Sequence, residues 1–219
     1  MAQCLYCGKK GWFLSVSELG LCKSCEPGVM FSVNRTVEII KESQDIIEKT
    51  KKFETAIGRY DLIIGKITDL KDRYYSKGIK VLTKDPDELI EAIKADKANA
   101  IDQEAHNQVE KYLTKAELAK TLNSKINNAN KALLLLKDFE DKYGYKNLDL
   151  ENKVKYFIFR AELDDYIDKA ERAEFKEQTK KAMDLYMDAL YLIKNSEFDE
   201  EGIEKHIESA LEKLKKKSS

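Results

Sequence analysis

The N-terminal stretch CLYCGKKGWFLSVSELGLCKSC, which runs from Cys4 to Cys25, contains every cysteine of the 219-residue chain. The four thiols form two C-x2-C pairs, and residues 8–21 separate the pairs. Glycine is also concentrated near this end, and after Pro27 the only other proline is Pro86. We therefore place a domain boundary near residue 28 and expect the remainder of the chain to be nearly all helical.

Paired thiols at this spacing are typical of a metal centre. A C-x2-C pair on a tight turn directs two thiolates at one ion, and two such turns complete a tetrahedron with metal–sulfur distances of about 2.3 Å. The spacing predicts that Cys4, Cys7, Cys22 and Cys25 bind one structural Zn²⁺ ion. Because four protein ligands leave no open position, we do not expect a catalytic metal. A rubredoxin-type iron site and a redox-active dithiol pair are the alternatives.

The residues between the two pairs carry a family resemblance. Gly8 directly follows Cys7, GWFLSV has the pattern of a strand, SELG has that of a turn, and LC has that of a return strand. The segment resembles a zinc ribbon, a small module of transcription, translation and adaptor proteins. The resemblance implies a metal site more specifically than it implies a role.

A seven-residue period marks the first long helix, which we expect from Ser32 to Ser76. Apolar or aromatic side chains recur at Ile39, Ile46, Phe53, Tyr60, Ile67 and Tyr74. This spacing predicts a coiled-coil-like seam. The same seam is a candidate surface for pairing two chains as a homodimer.

A second long helix is expected from Pro86 to about Tyr143. Asp85 and Pro86 have the cap and first-turn proline of a helix start, and Gly144 supplies a stop. A capping box at Thr114 and Glu117 is a candidate point of division. We expect the two long helices to pack antiparallel as a stalk.

The last third of the chain predicts three further helices, over residues 149–173, 179–194 and 199–216. Ala182, Tyr186 and Ala189 reproduce the A-x3-[FY]-x2-A spacing of a tetratricopeptide repeat, and Tyr166 and Ala170 occupy its aromatic and small positions. The segment resembles a single tetratricopeptide-like or microtubule-interacting-and-trafficking-like hairpin. A plain helical hairpin with small residues at the crossing is the alternative.

The predicted fold class is therefore mainly α. A zinc ribbon occupies residues 1–28, a long antiparallel, coiled-coil-like helical stalk occupies residues 29–143, and a three-helix bundle occupies residues 144–219.

Composition limits the classes of function. The chain has 39 Lys and Arg residues against 40 Asp and Glu residues, a formal net charge of -1. We therefore expect no general attraction to phosphate. No apolar run approaches the length of a membrane helix, and the N-terminus lacks a secretory pattern. A reducing, cytoplasmic location follows, in which paired cysteines favour metal over a disulfide.

Catalytic motifs are not found in the sequence, so we expect no enzyme. Asp102, His106 and Glu110 share one helix face and are a candidate second cation site, although a solvated polar face is the simpler interpretation. Neither His106 nor His206 belongs to an E-x-x-H motif, which argues against a di-iron bundle.

These observations favour a non-enzymatic zinc-binding interaction protein, an adaptor or scaffold. We expect Tyr6, Trp12 and Phe13 to contact a protein partner, while packing inside the ribbon is the competing use of these side chains.

The alternative function is nucleic-acid binding. In that case Lys9, Lys10 and Lys23 would contact phosphates and Trp12 would stack on a base.

Overall fold

The structure, a computed structural model, describes residues 1–218, and Ser219 at the end of the predicted third domain lies outside that range. Within the described residues, two short strands precede seven α-helices. The elements are β1 (Ala2–Gln3), β2 (Lys10–Gly11), α1 (Glu26–Lys49), α2 (Phe53–Tyr74), α3 (Pro86–Glu117), α4 (Leu122–Tyr143), α5 (Leu148–Phe175), α6 (Thr179–Lys194) and α7 (Glu201–Ser218). The predicted mainly α class with a small N-terminal element is confirmed.

The chain divides into two compact units, an N-terminal unit over Met1–Glu104 and a C-terminal unit over Ala105–Ser219. Helix α3 contributes its first part to the N-terminal unit and the remainder to the C-terminal unit.

In the N-terminal unit, α1 and α2 form an antiparallel hairpin. The start of α1 and the end of α2 share one apolar cluster, in which Val33 and Leu70 are buried. The first part of α3 runs antiparallel to α2. Two ion pairs join the helices in this orientation, Lys71 with Asp87 at 2.5 Å and Lys97 with Asp61 at 2.6 Å.

The expected single helix from Ser32 to Ser76 is wrong. Helix α1 begins earlier, with Cys25 as its N-cap residue and Pro27 in its first turn, and it ends at Lys49. Thr50 is extended, with φ -79° and ψ 139°, and its hydroxyl oxygen accepts a hydrogen bond from the Lys52 N–H at 3.1 Å. This local bond offers the backbone an alternative to the helix ladder. The chain therefore turns back, and α2 packs against α1.

The second predicted long helix is also divided. Helix α3 ends at Glu117, and α4 begins at Leu122 with Thr121 as its N-cap residue. The Thr121 hydroxyl accepts a hydrogen bond from the Ser124 N–H at 3.3 Å, so the cap lies a few residues beyond the predicted capping box.

The C-terminal unit is held by apolar contacts between successive helices. Small buried side chains, including Ala170 on α5 and Ala182 and Ala189 on α6, let these two helices approach closely. The core cluster comprises Phe159, Leu163, Ala170, Ala173, Ala182, Tyr186, Ala189, Ile193, Ile207, Leu211 and Leu214. Helix α6 has the predicted bounds, and α5 and α7 differ from prediction by one or two residues at each end.

Candidate metal centre

The first cysteine pair lies in a tight turn between the two strands. Antiparallel pairing of Gln3 with Lys10 brings the ends of the turn together. The Cys4 N–H then donates to the Lys9 carbonyl, and the Gly8 N–H donates to the Cys4 carbonyl, each at 2.9 Å. Gly8 has a φ of +74°, a conformation that glycine adopts without a steric penalty.

The second cysteine pair lies at the start of α1. An isolated antiparallel bridge joins Val16 to Cys22. The Cys22 carbonyl accepts hydrogen bonds from the N–H groups of Cys25 and Glu26, at 2.9 and 3.0 Å. This single turn of backbone puts both thiols on the same side and leads directly into the helix. The predicted strand over residues 11–16 is therefore wrong, because only its ends pair.

The four sulfur atoms form one compact group. They all lie within 4.8 Å of one another, and Cys7 Sγ is 3.9 Å from Cys22 Sγ. A tetrahedral ion with metal–sulfur distances of about 2.3 Å requires sulfur–sulfur distances of about 3.8 Å. The Cys22 N–H also donates to Cys4 Sγ at 3.3 Å, as a backbone donor does in a thiolate metal site. The four cysteines are therefore positioned to bind one metal ion.

The thiols have different surroundings. Cys4 and Cys22 are buried, Cys25 is half-buried, and Cys7 is exposed. Backbone hydrogen bonding, chiefly from Cys7, lowers the pKa of Cys4 from 9.0 to about 6 against the opposing effect of burial. A hydrogen bond with the Cys22 thiol and then burial raise the pKa of Cys25 to about 12. Four thiolates repel one another, so a metal-free cluster retains protons that a divalent cation displaces.

The cysteine lobe, by which we mean residues 1–25, packs on the helical hairpin of the N-terminal unit. Leu21 is fully buried in a cluster with Tyr74 and Ile79. The Tyr6 ring lies 6.2 Å from the Tyr74 ring, and Lys77 Nζ lies 4.6 Å from the centroid of Tyr6. This contact is not apparent from the periodicity or the motifs of the sequence. Its one visible signal is Leu21, an apolar residue directly before a candidate metal-binding cysteine.

The predicted partner-binding aromatics are not equivalent. Trp12 is 85% exposed and Phe13 is fully exposed, at 103% of the reference area, in the turn after β2. Tyr6 is 40% exposed and packs against Tyr74 within its own unit. Only Trp12 and Phe13 are therefore wholly available to another molecule.

The lysines considered for nucleic-acid binding, Lys9, Lys10 and Lys23, are all exposed on the cysteine lobe.

The candidate second cation site is not assembled. Within residues 1–218, the four cysteines are the one group of three or more His, Cys, Asp and Glu side chains arranged to hold an ion. His106 lies 3.4 Å from the Asn147 side-chain nitrogen, and Glu110 pairs with Lys153.

Comparisons with protein-family models, with curated proteins and with solved structures gave no match to this chain. In the part of the chain that the structure describes, no helix has both the length and the apolar character needed to cross a bilayer.

Proposed function

We propose that this chain is a non-enzymatic, cytoplasmic interaction protein in which one structural Zn²⁺ ion shapes the N-terminal surface. Four thiolates at tetrahedral spacing suit zinc, or iron as the second choice, and disfavour hard cations such as Mg²⁺. The ligand set Cys4, Cys7, Cys22 and Cys25 is complete without water or substrate. It therefore favours a structural role for the ion.

The observation that carries the interaction role is the pair of exposed neighbours Trp12 and Phe13. Burying a large aromatic side chain away from water is favourable, and such residues are enriched among those that dominate protein–protein binding. The turn that bears them follows β2, and β2 is fixed through its pairing with β1 beside the cysteine cluster. A metal at this cluster would hold the aromatic pair in one arrangement, which lowers the entropic cost of binding.

Local charge favours a protein partner over nucleic acid. A divalent ion with four thiolates carries a net charge of about -2, and electrostatic arguments at a metal site must include it. The negative charges to be offset are those of the metal site and of Glu18. The positive charges of Lys9, Lys10 and Lys23 balance them. The loaded cysteine lobe then has no excess positive charge for phosphate. Three lysines would in any case give a logarithmic salt dependence no steeper than about -3.

Site-specific photo-crosslinking tests the interaction role. A photoreactive phenylalanine analogue at position 13 is compared with the same analogue at position 175, since Phe175 is also a largely exposed aromatic, at 89%, but lies in the C-terminal unit. We expect a discrete protein adduct at position 13 that is lost with Trp12→Ala and with Cys22→Ser plus Cys25→Ser. Equal adducts at both positions would contradict the proposal.

Two other products have defined meanings. Crosslinked RNA or DNA at position 13 would support the nucleic-acid alternative. An adduct between two copies of the chain would support a homodimer.

Elemental analysis tests the metal separately. Material purified without added metal or chelator should contain about one zinc ion per chain, as a closed four-thiolate site requires. The Cys22→Ser plus Cys25→Ser variant should contain none. One iron ion per chain would reassign the metal, and no metal with freely titrating thiols would refute the site.

A further inference from the structure

A groove in the C-terminal unit has no role in the function proposed above. It has a volume of about 700 Å³ and lies between α5, α6 and the loop that joins α6 to α7. This is within the range of sites that hold a ligand or a peptide side-chain cluster. We call it the α5–α6 groove, and its lining includes Ile158, Phe159, Glu162, Asp188, Tyr191 and Glu197.

The floor of the groove is apolar and firmly supported. Phe198, from the connecting loop, lies 5.2 Å from the Phe159 ring and packs edge-on against Tyr156 at the same distance. The Ser196 hydroxyl donates to the Ile193 carbonyl at 2.9 Å and accepts from the Phe198 N–H at 3.3 Å, which fixes the loop. The aromatic floor is therefore formed before any ligand binds.

The rim of the groove is acidic. Glu162 on α5, Asp188 on α6 and Glu197 on the loop contribute one carboxylate each. None of the three is in an ion pair within the described residues. The single lysine of the lining, Lys155, is held 2.7 Å from Glu151. Its charge is thus partly compensated by Glu151 outside the groove, and it also interacts electrostatically with Glu197 on the rim. With three carboxylates and one lysine in its lining, the groove keeps a net negative charge.

We propose that the α5–α6 groove binds a basic amphipathic segment of a partner protein. Apolar side chains of the segment cover the aromatic floor, and lysine or arginine side chains meet Glu162, Asp188 and Glu197. Tyr191, which is 73% exposed at the rim, offers its ring face to one of these cations. Three carboxylates on three separate elements require several cations at different points, which a peptide segment supplies and a single cation does not.

The basic end of a second copy is a poor occupant. The lysines near the end of α7 lie on the same helix as Leu211 and Leu214, and both leucines are buried in the core of their own C-terminal unit. That segment cannot present apolar side chains without unfolding. Anionic ligands are disfavoured by the charge of the rim.

The test uses the intact, metal-loaded chain and a fluorescein-labelled synthetic helix of leucine and lysine at amphipathic spacing. Fluorescence anisotropy measures binding. Two comparison peptides replace lysine by glutamate, or leucine by glycine. We expect saturable binding of the first peptide at one per chain and none of the other two at the same concentration. Binding of the glycine peptide as strong as that of the leucine peptide would overturn the proposal.

Charge-neutralising variants locate the site. The combination Glu162→Gln, Asp188→Asn and Glu197→Gln should weaken binding about tenfold, since three exposed ion pairs with the peptide are lost and each contributes only modestly. A matched control, Asp141→Asn with Glu208→Gln and Glu212→Gln, removes the same charge from exposed positions outside the groove. It should change the affinity less than about twofold. Equal weakening by both sets would show non-specific attraction and overturn the site.

Two further measurements keep the result unambiguous. In the unmodified chain, the peptide should slow amide hydrogen exchange in residues 158–166 and 188–198, and an unchanged exchange pattern there would overturn the site. Sedimentation without peptide tests for a second copy as occupant. Self-association that the groove variant abolishes would replace a partner segment by a second copy and overturn the proposal.

Discussion

The cysteine lobe and the C-terminal unit are stabilised in different ways. In residues 1–25 only Cys4, Leu21 and Cys22 are buried, and two of these are candidate metal ligands. The C-terminal unit instead buries a continuous cluster of aliphatic, aromatic and small side chains. A lobe of this size cannot bury enough apolar surface to fold alone, whereas a set of paired helices can. The difference leads us to expect that metal coordination would stabilise one end of the chain, whereas apolar packing stabilises the other.

The two regions also differ in the surfaces they offer. Trp12 and Phe13 protrude from the cysteine lobe, beside lysines. The α5–α6 groove is concave and carries carboxylates on its rim. The two surfaces therefore suit partners of different shape and charge.

Removal of the metal should have the largest effect and should separate the two regions. A structural zinc ion contributes about 10–16 kcal/mol to the folding of a small thiolate site. With chelator present, we expect rapid amide hydrogen exchange throughout residues 1–25, and faster exchange around Tyr74 and Ile79, which lose their contact with Leu21. Exchange in residues 105–218 should not change. Hydrogen exchange with mass spectrometry makes the measurement.

Zinc added back should restore protection in the unmodified chain but not in the Cys22→Ser plus Cys25→Ser variant. An unchanged exchange pattern in residues 1–25 after chelation would mean that the lobe folds without metal.

A core substitution in the C-terminal unit should have the next largest effect. Leu163 is fully buried, and Leu163→Ala should lower the free energy of unfolding by about 2–5 kcal/mol. Urea unfolding followed by circular dichroism measures this change. The control is Leu134→Ala, since Leu134 is largely exposed, and it should stay within about 0.5 kcal/mol. The loss should be the same with and without chelator, and a metal-dependent loss would contradict the separation of the two regions.

Glycine substitutions in the cysteine lobe should have smaller effects. Gly8 and Gly20 both have positive φ, but an added Cβ at Gly8 meets no atom within 4 Å, whereas at Gly20 it lies 2.5 Å from Leu5 Cδ1. Gly8→Ala should destabilise the folded cysteine lobe by about 1–2 kcal/mol, from backbone strain alone. Gly20→Ala should destabilise the lobe more. A competitive chelator titration measures both effects as weaker zinc affinity. Leu5→Ala should reduce the additional destabilisation caused by Gly20→Ala. Equal destabilisation by the two glycine substitutions would argue against the contact between Gly20 and Leu5.

The smallest effect at neutral pH is expected at Tyr186. Burial, with help from Glu174 and Glu171, raises the pKa of Tyr186 from 10.0 to about 12. The folded state disfavours the ionised ring, so stability is complete below the unfolded pKa of about 10 and is lost as the pH rises toward about 12. The two pKa values suggest measuring urea midpoints between about pH 8 and about pH 11. Over this range the midpoint should fall less for Tyr186→Phe than for the unmodified chain. Parallel curves would contradict the raised pKa.

The sequence allowed the cysteine cluster and much of the helical core to be predicted. Two C-x2-C pairs leave few geometries other than convergence on one ion, and the four sulfur atoms do converge. The small and aromatic positions Ala182, Tyr186 and Ala189 were expected to pack in a hairpin, and all three are buried. Both patterns are local, so neighbouring residues carry the information.

The break at Thr50 was not predicted, for a physical reason. A seven-residue apolar period has the same form whether the helix continues or folds back, because either half needs one apolar face. No glycine or proline marks the turn. The exposed Trp12 and Phe13 were placed in a strand for a similar reason, since a short apolar run does not reveal whether it faces a core or solvent.

The sequence by itself determined the helical class, the four candidate metal ligands and most helix ends, because these depend on spacing, caps and breakers within a few turns of chain. Only the tertiary structure decided that α1 packs on α2, that Leu21 joins the cysteine lobe to Tyr74, and that carboxylates from α5, α6 and a loop surround one groove. Those arrangements depend on which apolar faces bury each other most completely. That choice is made between segments distant in the chain and leaves no local signature.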